Sequence, residues 1–393
     1  MSTKYYKSIP LALNECFVVG GLGIQSSRDL LITAIKREEL IEKLSYFVSE
    51  RTDDEVRSYF FHDKKVAAYS SGDTRQWSLS KARKLLRNKR WQDKITTWLY
   101  RPFDVRPILF DSDMVDWPRP EVSRHLLPSN LAMLANRQTK EDFGAFVADS
   151  LVERKIAAVY DASTAFPLWH YPDVTDDLLN ESTAERQPNF SLQFIAEIKT
   201  KLGRATPEQI FYYIYAILYS PGYRTRYAEF LKRDFPRVPI TSDKPLFTKL
   251  AKLGERLVAL HLMKGDTDEI SRFPIAGSNE VIKVEFKAAA QAELEPANTS
   301  ITKATHTIST KSAQMDTGRV YINADQYFDD VPNIVWEYHI GGYQVCKKWL
   351  KDRKGRQLSY DDIKHYHGIV ASLAETIELQ NKIDDAIPSW PLE

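Results

Sequence analysis

The chain has 393 residues, of which 43% are hydrophobic and 27% are charged, and its formal net charge is +1. This length suffices for two or three packed units at about 100 to 200 residues per domain, and the composition argues against a disordered chain. The near-zero charge does not require a nucleic acid, a membrane surface or an acidic partner, so any basic surface has to be local.

The cysteine content and the length of the apolar runs indicate the cellular compartment of the protein. Cys16 and Cys346 lie far apart without His or Cys at zinc-ligand spacing, which argues against a disulfide framework or a structural metal site. Ile9–Leu13 is too short for a signal peptide. The longest apolar run, Ile210–Tyr219, falls well short of the roughly 20 residues that cross a bilayer. We expect a soluble cytoplasmic protein with no membrane partner.

The first elements in chain order predict an α+β segment. Short apolar runs broken by glycines predict strand, turn and strand over Ile9–Ile24. Apolar residues at three- and four-residue spacing predict a core-facing helix over Lys36–Val48. Thr52 and Glu55 form the capping-box pattern that begins a second helix.

A basic helical region and an irregular region are expected next. One side of Ser78–Leu99 is apolar and the rest is rich in Lys and Arg, which predicts one or two helices. Pro102 forces Arg101 into extended backbone, so an irregular stretch is expected from there to Pro128.

Three short strands are predicted in the following segment, over Leu131–Ala135, Ala145–Val147 and Ile156–Tyr160. The composition of Asp173–Asn189 then turns acidic and polar, which predicts an exposed connection between lobes.

A helical segment is expected after this connection. Thr206, Pro207 and Gln209 form a helix start, because Thr206 suits the cap and Pro207 the first helical position. Pro221 is predicted to stop this helix, and another restarts over Tyr223–Lys232.

The last third is predicted to combine strands and helices. Leu246–Met263 is an amphipathic helix, and Val281–Phe286 and Val320–Asn323 are strands. Ala288–Thr317 lacks a stable period and is interpreted as a surface insertion. Ser359 caps a long final helix whose apolar residues form a nearly heptad seam that must pack on something.

These elements predict an α+β, multi-lobed chain with small β-sheets, a central helical segment and a long C-terminal helix. The expected units are a leading α+β segment, a first lobe, a helical connector, a second β-containing lobe and a helix packed on the core. Their boundaries are predicted at 1–105, 106–200, 201–265, 266–358 and 359–393.

No complete catalytic motif is visible, and we expect no cofactor in this chain. Methyl transfer from S-adenosylmethionine to adenine would need a Gly-rich strand-to-helix turn and an Asn or Asp followed by Pro-Pro-aromatic, but the sequence has no Pro-Pro pair. Gly20, Gly21 and Gly23 form the one Gly cluster near a strand, and an ordinary turn explains them better. The phosphate-cradling Gly-Lys-Ser or Gly-Lys-Thr is absent.

Two further patterns imitate metal sites. Asp268, Glu285 and Lys287 resemble the carboxylate and Glu-x-Lys set of metal-dependent nucleases, but Glu-x-Lys is frequent by chance and a surface strand is preferred. His365 and His367 stand two residues apart on the predicted final helix, where they point apart, so we predict them on the helix surface without a shared metal.

Three stretches are locally basic. Lys81–Arg106 carries nine Lys or Arg residues with Trp, Tyr and Phe interleaved, a pattern typical of phosphate and base contacts and also of a solvated helix face over a core. Tyr223–Arg237 and Lys347–Arg356 are the second and third stretches, and a structural role competes with binding in both. The residues that we consider DNA-binding candidates are Lys84, Arg87, Arg90, Arg101, Arg106, Arg119, Arg137, Gln138, Arg224, Arg226, Lys347 and Lys348.

Several strings, in order along nearly the whole chain from about Gly23, resemble one enzyme family. They are Trp98–Arg106, Asn136–Gln138, Phe166–Trp169, Phe211–Tyr227, Phe235–Pro239 and Tyr338–Val345. Together they resemble the C-terminal specificity region of type ISP and related type IIG single-polypeptide restriction-modification enzymes. Such enzymes join an adenine-specific DNA methyltransferase to a nuclease and, in type ISP, a helicase-like translocase.

The resemblance implies a target-recognition domain that reads a short site on double-stranded DNA. It implies that the leading segment joins the methyltransferase side, and that a methyltransferase and nuclease act in cis or in trans. S-adenosylmethionine, Mg²⁺ and ATP would then bind in those partner modules. The Arg101–Arg106 string has an alternative role, since its own ion pairs would lock a turn.

Two other functions stay open at this point. One is a truncated DNA methyltransferase that retains S-adenosylmethionine binding, or a nuclease that uses Glu285 and Lys287. The other is an interaction protein whose final helix docks on a partner through its apolar seam.

Overall fold

A computed structural model describes residues 6–61, 73, 77–172, 186–274, 276–289, 316–390 and 392. Most of the predicted acidic connection over 173–189 and nearly all of the predicted insertion over 288–317 lie outside the described residues. The architecture is α+β, with helices and several small sheets, as the sequence predicts. The five unit boundaries stay a prediction.

The helices within these residues range from single turns to one of 27 residues. They are α1 Leu13–Cys16, α2 Asp29–Ile32, α3 Arg37–Val48, α4 Asp53–Phe61, α5 Leu79–Arg87, α6 Pro120–Ser123, α7 Leu192–Leu202, α8 Pro207–Tyr219, α9 Pro221–Arg226, α10 Ala228–Leu231, α11 Lys244–His261, α12 Asn333–Trp336, α13 Val345–Lys351 and α14 Tyr360–Ala386. A 3₁₀ turn spans Trp91–Lys94.

The strands are short. They are β1 Gly21–Leu22, β2 Ile95–Arg101, β3 Asp104–Leu109, β4 Ala132–Asn136, β5 Ala145–Ala148, β6 Leu151–Val152, β7 Ser163–Pro167, β8 Trp169–His170, β9 Gln187–Pro188, β10 Glu285–Ala288, β11 Thr317–Tyr321, β12 Tyr327–Pro332, β13 His339–Ile340 and β14 Tyr343–Gln344. They form small sheets in the orders β1-β7-β4-β5, β3-β2-β6, β10-β11-β12, β8-β9 and β13-β14.

Two helix starts follow the predicted capping chemistry. Before α4, the Thr52 N–H donates to Glu55 at 2.7 Å while the Glu55 N–H donates to the Thr52 hydroxyl at 3.3 Å. Before α8, Thr206 and Gln209 exchange the same reciprocal bonds. Each box satisfies backbone donors that a helix start leaves without an intrahelical partner, so the local sequence alone sets both positions.

The predicted helices over Ser78–Leu99 are wrong beyond α5. Ile95–Arg101 is a strand that pairs with β3 in an antiparallel hairpin, so the predicted irregular stretch is also wrong at its start. The run Ile-Thr-Thr-Trp-Leu-Tyr is rich in β-branched and aromatic residues, which fit a pleated surface better than a helix. Phe103 turns the hairpin with a positive φ of 61°.

Two predicted strands are also corrected. Ile9–Ile24 contains α1 and the two-residue β1 rather than two strands around a turn. Ile156–Tyr160 is buried at its start but is irregular, because side chains take up its carbonyls. Asn136 donates to the Ala157 carbonyl at 3.1 Å, and the Tyr343 hydroxyl reaches the Ala158 carbonyl at 3.4 Å.

Helix breaks differ from the prediction at one point. Pro221 ends α8 and also begins α9. At the first helical position its missing N–H removes no hydrogen bond, because that N–H would have no partner within the helix. The cap is Ser220, whose hydroxyl accepts from the Tyr223 N–H at 3.0 Å.

The hydrophobic interior consists of two large clusters, and α14 contributes to both. Tyr366 and Leu373, in its first half, belong to a cluster with the β2-β3 hairpin and the β10-β12 sheet. Leu379 and Ile383, further along, belong to a cluster built on α8 and α11. The apolar seam of this helix is therefore occupied inside the molecule, which leaves no apolar stripe for the docking helix considered above.

Candidate nucleic-acid interface

The contacts sort the twelve candidate residues into an internal set and an exposed set. Arg101 is internal: its guanidinium donates to Glu153 at 2.8 Å, and both side chains are largely buried. It also lies over the Tyr100 ring at 4.2 Å. This ion pair and ring contact engage one nitrogen and one flat face of the guanidinium within the fold.

Arg106 is held in a buried ionic cluster. Its guanidinium donates twice to Asp104, at 2.5 and 3.0 Å, and Arg353 contacts the other Asp104 oxygen at 3.3 Å. Burial by itself would raise the pKa of Asp104, but the two guanidinium groups hold that pKa below its ordinary value. The cluster ties the start of β3 to the residues that follow α13, which favours the structural alternative for the Arg101–Arg106 string. The assignment of both arginines as DNA contacts stays a prediction that this geometry disfavours.

Three more candidates have internal contacts. Arg224 donates to the Leu218 carbonyl at 2.5 Å and stacks on Tyr219 at 4.5 Å. Lys348 forms an ion pair with Asp352 one turn further along. Lys347 lies 5.9 Å from the ring centroid of Trp336, so its ammonium is partly engaged.

Two groups of candidate residues are exposed. The first group contains Arg137 and Gln138, just after β4, and Arg226 on α9. Arg137 lies 3.4 Å from the carboxylate of Asp234. These residues present polar groups to solvent, but the carboxylate of Asp234 offsets part of the local charge.

The second exposed group lies on and after α5. Lys84 and Arg90 are exposed and form no ion pair with any residue in the described ranges. Arg87 is exposed too, but its Nε donates to the Val48 carbonyl at 2.8 Å and so caps the end of α3. Lys81, one turn before Lys84, is also exposed. This end of α5 therefore carries positive charge that the fold leaves uncompensated.

Beside α5 stands a structure that we call the two-loop ridge, formed by residues 25–28 and 112–119. A β-bridge joins Gln25 to Trp117. The Ser27 hydroxyl donates to Asp116 at 2.8 Å, and the Arg28 Nε donates to the Met114 carbonyl at 3.0 Å. These bonds fix two loops against each other, so their outer side chains have a rigid base.

Hydrogen bonds connect Arg154 to this ridge. Its guanidinium donates to the Gln25 side-chain oxygen at 2.6 Å. The Gln25 amide in turn donates to the Ser27 hydroxyl at 3.0 Å. Arg is the side chain that reads guanine edges in the major groove, and here Gln25 holds Arg154 in position while its own amide is bonded within the ridge.

Two residues of the ridge have strained backbones. Ser27 has a φ of 56° and Arg119 a φ of 53°, values that residues with a Cβ rarely adopt. Arg119 lies 4.8 Å over the ring of Trp117, which is 39% exposed. The Nε of Arg119 is buried and has no hydrogen-bond partner within the described part of the chain. Strain of this kind concentrates where loops position functional side chains.

In the structure, other contacts account for the residues whose sequence patterns imitate catalytic sites. Glu285 pairs with Lys283, and Lys287 lies 4.9 Å over the Tyr321 ring, on the outer face of a strand. Gly23 is packed so tightly that a Cβ would approach the Glu153 carbonyl to 2.7 Å, which explains that glycine without a cofactor loop. In the described residues no three His, Cys, Asp or Glu side chains gather to hold a metal.

The predicted surface location of the two histidines on α14 is wrong. His365 Nε2 lies 2.8 Å from the Phe103 carbonyl, and its ring stacks on Trp349. His367 is buried, with Nδ1 at 2.7 Å from the Ser271 hydroxyl. Burial lowers the pKa of both imidazoles. The β10-β12 and β2-β3 units cover this side of the helix, which a single helix sequence does not reveal.

The sequence patterns missed the most organised part of this surface. Gln25, Arg28, Trp77 and Arg154 were not among the candidates, since each stands alone in a stretch with neither charge run nor motif. One signal was available: Trp-Pro-Arg-Pro at 117–120 places an aromatic residue and an arginine in a stiff loop, as recognition loops do.

Comparison with known families decides the classification. The model of the Type ISP C-terminal specificity domain matches residues 15–382. The chain belongs to this family. It is thus a specificity domain of the Type ISP class, as the resemblance implied. No curated protein matches the chain.

Solved structures show the same fold. A cryo-EM structure of a DrdV–DNA complex has a TM-score of 0.64 and 20% identity, over 95% of this chain and 36% of that one. A nuclease-deletion mutant of the Type ISP enzyme LlaGI in complex with a DNA substrate mimic has a TM-score of 0.62 and 17% identity, over 96% of this chain and 33% of that one. The ATP-dependent Type ISP enzyme LlaBIII bound to DNA has a TM-score of 0.63 and 17% identity, over 96% of this chain and 24% of that one. The specificity domain thus spans about a third or less of each relative.

Among the described residues, no helix has both the length and the apolar character that crossing a bilayer requires.

Proposed function

We propose that this specificity domain reads a short sequence on double-stranded DNA through the two-loop ridge and the exposed end of α5. The observation that carries the proposal is the rigid ridge, which holds Trp117, Arg119 and Arg154 beside the uncompensated cations of α5. Membership of the specificity-domain family supports it, since DNA is what such a domain selects.

The two parts of this surface would have different tasks. Lys81, Lys84 and Arg90 neutralise phosphates, release counterions and set the position of the domain on the duplex. Gln25 holds one nitrogen of the Arg154 guanidinium, and the remaining donors of Arg154 contact base edges, where hydrogen bonds distinguish one base pair from another. A surface of this kind binds any duplex weakly and one sequence tightly.

The rest of the enzyme is assigned to other modules, in cis or in trans. An adenine-specific methyltransferase would bind S-adenosylmethionine, and nuclease and translocase units would use Mg²⁺ and ATP. For the domain itself we propose the cytoplasm, where its DNA partner lies and where the two buried cysteines, Cys16 and Cys346, stay reduced.

Anisotropy titration of the chain with labelled random duplex tests the proposal. We expect salt-sensitive binding, with the logarithm of the association constant falling linearly against the logarithm of the salt concentration. Removing Lys84 and Arg90 together, as K84A/R90A, should weaken binding on every duplex and reduce that slope by about 2.

The matched control is K249A/K252A, which removes two exposed lysines from α11 on the other hydrophobic cluster. It should leave the slope unchanged. If native protein shows no salt-sensitive binding at low ionic strength, the proposal is wrong. If K84A/R90A leaves the slope unchanged, the DNA lies on another face, and if both double variants lower it equally, the loss reflects overall charge and not a contact of α5.

A further inference from the structure

A cavity of about 590 Å³ opens between α5 and the two-loop ridge. Trp77, two residues before α5, and Trp117 of the ridge line it, while Lys81 contributes an exposed ammonium. The volume is within the roughly 300 to 1,000 Å³ range of small-ligand sites. Apart from Lys81, none of the proposed phosphate and base-edge contacts lines this cavity.

The walls offer flat aromatic surfaces held in fixed positions. The Trp77 Nε1 donates to the Asp113 carbonyl at 2.7 Å, and the Arg28 guanidinium lies over this indole at 4.4 Å. Arg119 covers one face of the Trp117 indole in the same way, at 4.8 Å. Each ring is therefore supported from one side by a cation while it lines the cavity, which suits the stacking of a further planar group.

Charged groups of both signs surround these rings. Arg28 is only 3% exposed and also lines a second cavity of about 520 Å³. Burial lowers the pKa of this guanidinium to about 10, so it stays protonated at neutral pH. Asp113 and Asp116 add carboxylates to the lining. A ligand with a planar ring, amino donors and a nearby phosphate matches this combination.

We propose that the cavity receives one unstacked nucleobase of the bound DNA, with an indole against its ring, a carboxylate accepting from its amino group and Lys81 near its phosphate. This inference rests on the proposed DNA binding and adds a base-holding pocket to the specificity domain. Adenine, cytosine and guanine carry an exocyclic amino group and thymine does not. Bases with the amino group should therefore bind best.

The test compares duplexes that differ in one extra nucleotide. Anisotropy titration uses a paired duplex and the same duplex with a single bulged adenine, bulged thymine or bulged abasic site. Because a stacked base contributes substantially to binding, the bulged adenine should bind roughly five- to hundredfold tighter than the paired duplex. The abasic bulge bends as easily but offers no base, so it should show no such gain, and thymine should lie between.

Trp117→Ala should abolish the gain from the bulged adenine, measured as the ratio of bulged to paired affinity within the same variant. Trp117→Phe keeps an aromatic face and should retain most of the gain. Tyr360→Ala is the matched control, since this exposed tyrosine at the start of α14 does not line the cavity. Circular dichroism verifies that each variant is folded.

The outcomes separate this inference from the proposed function. If native protein binds the paired duplex but gains nothing from a bulged adenine, or gains equally from the abasic bulge, the base pocket is wrong and DNA binding stands. If Trp117→Phe loses the gain as completely as Trp117→Ala, ring stacking is refuted. If no duplex binds at all, the proposed function itself fails.

Discussion

Two sets of cations from one basic stretch have opposite environments. Arg101 and Arg106 are enclosed by carboxylates and by the Tyr100 ring, whereas Lys84 and Arg90 face solvent without a carboxylate in the described residues. They are separated by fewer than 25 positions and look alike in sequence. A run of basic residues therefore forms a binding surface only where the carboxylates of the fold do not neutralise it.

The two sets also differ in what they contribute to the free energy of unfolding and to the attraction of DNA. A buried charge that loses its partner is left in a low-dielectric interior, so breaking such a pair destabilises the fold strongly. An exposed lysine contributes little to folding but attracts phosphates at long range. The comparison can be tested by substitutions in each set.

The largest expected effect is on stability, from Asp104→Asn. The substitution removes the charge that holds Arg106 and Arg353, and breaking a buried pair of this kind costs about 3–5 kcal/mol. Urea unfolding followed by circular dichroism measures the loss. A loss below 1 kcal/mol would mean that these arginines are not held by Asp104, and the distinction between the two sets would fail.

The same pair predicts a pH dependence. The pKa of Asp104 is lower in the folded protein than the ordinary value of about 3.9. Its contribution to stability is therefore fully present above that ordinary value and is lost as the pH falls through the folded pKa. The stability gap between native protein and Asp104→Asn should stay constant from pH 8 to 5 and shrink below pH 4. A gap that grows under acid conditions would contradict the assignment.

Next in size is the change in base preference from Arg154→Ala. Loss of a side chain that reads a base edge typically costs about 1–3 kcal/mol on the preferred site and relaxes selectivity there. Selection from a random duplex pool should give one less constrained position in the bound sequences, with an unchanged salt slope. A uniform loss across sequences would assign Arg154 to phosphate instead.

The smallest expected effect on folding comes from K84A/R90A. Both side chains are exposed and unpaired within the described chain, so the free energy of unfolding should change by less than about 0.5 kcal/mol. Urea unfolding beside Asp104→Asn measures this contrast. A loss comparable to that of Asp104→Asn would show that the α5 cations are structural too.

Local signals predicted much of the fold. The capping boxes at Thr52, Thr206 and Ser359 each begin a helix, because their bonds join residues only three positions apart. The β2-β3 hairpin was misassigned because its positive stripe resembles a helix face. The ridge was missed because Gln25 and Trp117 are neighbours only after folding. Long-range pairings of this kind leave no period in the sequence.

Lysine acetylation with and without duplex DNA, read by mass spectrometry, tests the central claim most directly. Lys81 and Lys84 should be protected by DNA in proportion to its occupancy, while Lys249 and Lys252 on α11 stay reactive. Protection of the α11 pair with undiminished reaction at Lys81 and Lys84 would contradict the account.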